Sequence, residues 1–274
     1  MKAPGARAVA APVAAPGASA LSDKATRLKL AQVPQENAIS GLAKNGNRVC
    51  GGAAVVGALI LRSGTTEGAQ ANSRALSDAL FKSGADRFLP DSVNHDALKL
   101  AFERFGAGNP NTGDVALLQQ AAYAVGCKFA GGDKGDGLSG GQLAGLVADL
   151  KTRGATLGPE TRFVQVHDGV GGHWVAQAPE ALINSAPATK VKTDQLAKNA
   201  AVWSADVSVK ADGKVELRTR SVPGHAKAWE GGGWTIKLDP PRPNNVADLM
   251  TKGDTTQQLL RRLDELATVE PTNL

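Results

Sequence analysis

Apolar residues follow two different periods along this chain. From Cys50, for about a hundred residues, they recur at helical spacing in segments that open on a capping residue and close on glycine. QANSRALSDALFKSG sets Leu76, Leu80 and Phe81 at that spacing and stops on Gly84. SVNHDALKLAFERFGAG carries Leu98, Phe102 and Phe105 behind a cap at Ser92 or Asn94. TGDVALLQQAAYAVG opens at Thr112 and LSGGQLAGLVADLKTRG at Ser139. Residues 53–61, AAVVGALIL, are apolar all round with Gly57 the one break, which predicts a buried helix.

After Pro159 the period changes to two. TRFVQVHDGVGGHWVAQA alternates on both sides of a glycine-rich turn and reads as a hairpin. AVWSADVSVKADGKVELRTRSV reads as a second, with Asp212-Gly213 as its turn. GGWTIKLDPPRP gives a short strand over residues 234–238, stopped by Pro240 and Pro241, and a last helix is expected over 245–268. Helices followed by strands, without alternation, give an α+β class. The expected organisation is one domain over 45–274, with a helical half at 45–158 and a β half at 159–243.

Composition changes the picture at the front of the chain. The 274 residues carry 31 basic and 26 acidic side chains, a net +5. Seven of the basic and two of the acidic residues lie in the first 48, so the rest of the chain is balanced. A nucleic-acid binder carries its basic face on the folded body, and that partner is not expected. Residues 1–44 begin MKAPGARAVAAPVAAPGASALSDK and read as a disordered, basic Ala/Pro-rich leader. A secretory signal over residues 1–20, ending at Ala18-Ser19-Ala20, is the other reading; Pro12, Pro16 and Gly17 interrupt its apolar centre. The setting is then cytoplasmic, or export by a route without a cleaved signal. No apolar stretch reaches the ~18 residues of a membrane span, and no His/Cys/Asp/Glu grouping has metal spacing, so neither a metal nor a cofactor is expected.

The candidate chemistry starts in NRVCGGAAVVGALI. Cys50 stands where the buried helix must begin, and a helix N-terminus favours the thiolate. Gly51 and Gly52 each disfavour a helix by about 1 kcal/mol relative to alanine. They would keep side chains off the sulfur and let a substrate backbone approach. A buried structural cysteine at a tight turn is the competing account. A nucleophilic thiol needs a base. His95 follows a helix cap, His225 lies in a loop, and His167 and His173 flank the turn of the first hairpin. His173 starts a strand beside Trp174 and is the best placed.

A Cys-Gly at a buried helix start, a helical half, and GGHWV in a hairpin together resemble the papain-like cysteine peptidases. The bacterial double-glycine-leader peptidases and the transglutaminase-like group, with its Cys, His, Asp order, are the nearest forms. The resemblance covers roughly residues 45–240. It implies a papain-like fold, Cys50 as nucleophile, His173 as general base, and a substrate cleft bordered by Gly51, Gly52 and Trp174. It also implies a third residue on a following strand, often as Asp-Pro. Asp239 in KLDPPRP matches that pattern, with Asn184 and Asp206 as fallbacks. The glutamine that such enzymes use as oxyanion donor shortly before the cysteine is missing. Asn45 and Asn47 are the substitutes, and Gln35 lies further upstream.

The resulting expectation is acyl transfer from an amide by a peptidase, amidase or glutamine deamidase. Substrates would be a protein, a peptide or a peptidoglycan amide, and the leader suits a delivered bacterial effector or toxin. The alternative is a non-catalytic module of the same fold, with Cys50 buried or disulfide-linked to Cys127. GGDKGDGLSGG lacks both the Lys-Ser/Thr of a P-loop and the spacing of an EF-hand, and reads as a loop.

Overall fold

The run CGGAAVVGALIL has no polar face to offer solvent, so it is stable as a helix only if covered all round. In the computed structural model it is helix α3, Cys50–Leu61, and all twelve of its residues are buried. The structure describes residues 19–39, 49–130, 137–167, 172–178, 181–185, 202–219, 234–236 and 269–271. The expected 245–268 helix lies outside them. Preceding α3 are α1, Lys24–Ala31, and α2, Gln35–Ile39. Following it are α4, Thr66–Phe81, α5, His95–Gly106, α6, Thr112–Cys127, and α7, Gly140–Thr152. No helix among the described residues is long and apolar enough to cross a membrane.

Each helix after α3 starts where a side chain satisfies the first-turn N–H groups. Thr65 accepts from Gly68, and Asn94 accepts from Asp96 and Ala97. Asn111 with Asp114, and Ser139 with Gln142, close reciprocal capping boxes. Of the two caps expected for α5, Asn94 is the one that accepts. Between the helices, the buried amide of Asn72 holds three segments together. Its Nδ2 donates to Leu59 O and Ser63 Oγ, both at 3.0 Å, and its Oδ1 accepts from Thr156 N at 2.8 Å.

The strands are β1, Arg162–His167, β2, Gly172–Ala178, β3, Ala181–Ile183, β4, Val202–Val209, and β5, Val215–Thr219. They form one antiparallel sheet in the order β3-β2-β1-β4-β5. Both expected hairpins are present. Gly213, at φ +82°, supplies the left-handed residue that the β4–β5 turn requires. A separate pair joins β6, Trp234–Ile236, to β7, Val269–Pro271. The fold is α+β.

Register explains which face of the sheet meets the helices. Ile183, Ala176, Phe163 and Val207 lie opposite one another across four strands, and all four are completely buried. The β-carbon that Gly140 lacks would stand 3.1 Å from Ala205, so α7 rests directly on this face. On the alternate positions Arg162 Nε and Nη2 grip Asp206 at 2.8 and 2.7 Å, and Arg218 donates to the same carboxylate.

One expectation is corrected here. The leader was to be disordered through residue 44, yet residues 20–39 form a 3₁₀ turn at Ala20–Ser22 and the helices α1 and α2, built into the core. Leu21, Leu30, Ala31, Val33 and Ala38 are buried. Gln119 Nε2 donates to Val33 O at 2.9 Å, and Gln120 Nε2 donates to Ala38 O. The apolar spacing of this stretch is masked by its basic residues and by the Ala/Pro-rich composition before it.

Candidate functional site

Cys50 is the first residue of α3, and the residue before it, Val49, has no side chain that can cap the helix. In the first turn Ala53 N–H donates to Val49 O at 2.8 Å. An uncapped start leaves backbone N–H groups at Cys50, Gly51 and Gly52 without helical acceptors, which favours negative charge there. The sulfur feels this directly. Burial is the largest influence on the Cys50 thiol and pushes its pKa up. A hydrogen bond from His173, the positive charge of that imidazole, and the backbone N–H groups of Trp174 and Gly51 pull it down. The net result is a pKa below the ordinary thiol value.

His173 and Trp174 are adjacent on β2, and strand alternation sends their side chains in different directions. The indole goes into the core, 1% exposed, with Nε1 donating to Leu138 O at 2.8 Å. The imidazole stays partly exposed and reaches Cys50. Its Nε2 lies 2.7 Å from Oδ1 of Asn184. An amide oxygen only accepts, so Nε2 carries the proton and Nδ1 is the nitrogen left to face the sulfur.

Asn184 is brought there by β3, whose Ile183 pairs with Ala176 of β2. It is fixed again on its far side. Gln35 N–H donates to Ser185 O at 3.0 Å, and Ser185 Oγ donates to Gln35 Oε1 at 3.3 Å. Helix α3 touches the same strand: a β-carbon at Gly57 would lie 2.6 Å from Ile183 Cγ2. Cys50, His173 and Asn184 are therefore positioned by mutually packed elements.

The structure brings together Cys50, His173 and the fallback Asn184. It separates Asp206, whose carboxylate is held by Arg162 and Arg218. Asp239, Asn45 and Asn47 lie outside the described residues. Gly51, Gly52 and Trp174 do not border a cleft as expected. A β-carbon at Gly52 would meet Gln119 O at 2.6 Å and Tyr123 N at 2.8 Å, so that glycine lets α3 and α6 approach backbone to backbone. Gly51 faces Leu138 and Leu143, and Trp174 is core. Cys127 is buried and, like Cys50, is a free cysteine in this structure. Gln35 was noted in the sequence without a placement, because only the third dimension puts it beside Ser185. Among the described residues no group of His, Cys, Asp and Glu has the makings of a metal site.

No protein-family model, curated protein or solved structure matches the chain.

Proposed function

We propose that this chain is a papain-like thiol hydrolase that transfers acyl groups from amides. The observation that carries the reading is one imidazole between a thiol and an amide oxygen: His173 Nε2 lies 2.7 Å from Asn184 Oδ1, and the same ring hydrogen-bonds Cys50. In that arrangement Cys50 passes its proton to His173 Nδ1, and the thiolate attacks the amide carbonyl carbon to form a C–S bond. The oxyanion would be met at the start of α3 by the backbone N–H of Cys50 itself. The C–N bond then breaks as His173 protonates the leaving amine. Water, deprotonated by the same nitrogen, hydrolyses the thioester and restores the thiol. Asn184 keeps the imidazole oriented throughout. A peptide, a peptidoglycan amide or a glutamine side chain fits this chemistry, and delivery as a bacterial effector or toxin is the context the front of the chain suggests.

A second reading has one observation in its favour: Cys50 is only 4% exposed. A non-catalytic module of the same fold keeps such a thiol inert. Iodoacetamide labelling against pH separates the two, read peptide by peptide because Cys127 also carries a thiol. The hydrolase reading expects Cys50 to label with a midpoint below the ordinary thiol range and a higher midpoint in His173→Ala. Slow labelling, indifferent to His173, sinks it.

A further inference from the structure

β3 is three residues long and stands first in the sheet order, so its pairing with β2 holds it along one side. Asn184 comes one residue after the last of those pairs, Ile183 with Ala176. The end of a short strand held on one side is where a sheet opens most easily. Yet the Asn184 amide has to stay within hydrogen-bond reach of the His173 ring, at 2.7 Å. A second restraint beyond β3 is needed.

The front of the chain supplies it. Residues 31–35, between α1 and α2, are fixed on three different elements. Ala31 O lies 2.6 Å from where a β-carbon on Gly57 of α3 would stand. Val33 O accepts from Gln119 Nε2 of α6 at 2.9 Å. Gln35 then makes two bonds to one residue: its N–H donates to Ser185 O at 3.0 Å, and its Oε1 accepts from Ser185 Oγ at 3.3 Å. Gln35 is the first residue of α2, where an N–H has no acceptor within the helix, so the donor goes to Ser185 instead. Ala31, Val33 and Ser185 are all buried. Asn184 is thus held from both sides, by strand pairing at Ile183 and by Gln35 at Ser185.

We propose that Gln35 is a positioning residue of the thiol site: it clamps Ser185 and so sets the Asn184 amide against the imidazole that hydrogen-bonds Cys50. Gln35 acts through Asn184 and not on the sulfur itself. The assignment rests on the reading of Cys50 and His173 as a working pair.

The test is the pH profile of iodoacetamide labelling in the full chain, read on the Cys50 peptide. Gln35→Pro removes both bonds to Ser185, and proline suits the first position of a helix. Gln35→Ala removes the side-chain bond and keeps the N–H. Val33→Ala loosens the same segment by deleting buried methyl groups but leaves both bonds to Ser185 in place. In Gln35→Pro the midpoint should rise, and labelling below it should slow about three- to tenfold, the worth of one hydrogen bond passed on to the thiolate. Gln35→Ala should move the same way by less, and it decides the matter if the proline variant does not fold. Val33→Ala should lower the denaturant midpoint and leave the labelling midpoint where it is, which a purely structural role for Gln35 would also predict of the Gln35 variants. An unchanged labelling midpoint in the folded Gln35 variants, while His173→Ala raises it, overturns the proposal alone. An equal rise in Val33→Ala overturns it too, since general loosening would then explain the effect. A midpoint indifferent to His173→Ala overturns both the proposal and the hydrolase reading beneath it.

Discussion

His173 Nε2 and Asn184 Oδ1 stand 2.7 Å apart, and that contact orients the imidazole that hydrogen-bonds the Cys50 sulfur. Removing the acceptor should therefore act on the thiol at one remove. In Asn184→Ala the ring loses its tether and its charge no longer favours the thiolate, while burial still opposes it. The Cys50 labelling midpoint should move up, so that labelling slows on the acid side and is restored at high pH. Asn184→Asp supplies an acceptor in the same place and should keep the midpoint low. A pH-rate profile of labelling for the three proteins checks both signs.

Asp206 belongs to a different task, and its removal should show that. The carboxylate is completely buried between Arg162 and Arg218, whose side chains are 17% and 47% exposed. Asp206→Ala should destabilise by about 3 kcal/mol, the lower end for a broken buried pair because both arginines retain some solvent. Urea unfolding measures the loss. The Cys50 labelling midpoint should stay where it is.

Gly52 and Gly51 are neighbours in sequence with opposite tolerance. At Gly52 a methyl group meets backbone atoms of α6 at 2.6 and 2.8 Å, which cannot rotate away. Overpacking of about 1–3 kcal/mol should outweigh the roughly 1 kcal/mol that alanine gains in a helix. At Gly51 the neighbours are the side chains of Leu138 and Leu143 at 3.1 and 3.3 Å, which can shift. Gly51→Ala should be near neutral and Gly52→Ala destabilising, as denaturant midpoints will tell.

A chain started at residue 45 should not fold cooperatively. It would lack Leu21, Leu30 and Val33, buried side chains worth about 1.5–3 kcal/mol each. It would also leave the Nε2 groups of Gln119 and Gln120 without their carbonyl acceptors. Together these rival the whole net stability of an ordinary domain. Circular dichroism through a thermal scan checks it.

The long elements were legible because their patterns repeat often enough to be seen. α4 to α7 each span several turns and carry their caps in the sequence, and the two hairpins alternate over five or more residues. The expected pairing of Cys50 with His173 needed only a helix start and a strand, both visible. Asn184 was harder. β3 has three residues, too few for a period, so the strand beside β2 was sought at 234–238 and Asp239 was preferred to Asn184. The glycines at 51 and 52 were read as clearing space for a ligand. Sequence alone cannot distinguish that from clearing space for another helix, since both need the same missing methyl group. Helices α1 and α2 were lost for a compositional reason: eight and five residues, the first of them dotted with Lys24, Arg27 and Lys29, do not stand out behind an alanine-rich stretch.

The packing of α3 has a consequence for synthesis. Its all-apolar surface is covered partly by β2 and β3, more than a hundred residues downstream, so on the ribosome this helix emerges well before the sheet that completes its burial. At about 5–20 residues per second the wait is on the order of ten seconds. Over that interval the sulfur of Cys50 has neither imidazole nor strand N–H beside it and should behave as an ordinary thiol. The low thiol pKa of Cys50 is thus a property of the finished fold, acquired only when β2 brings His173 beside the sulfur.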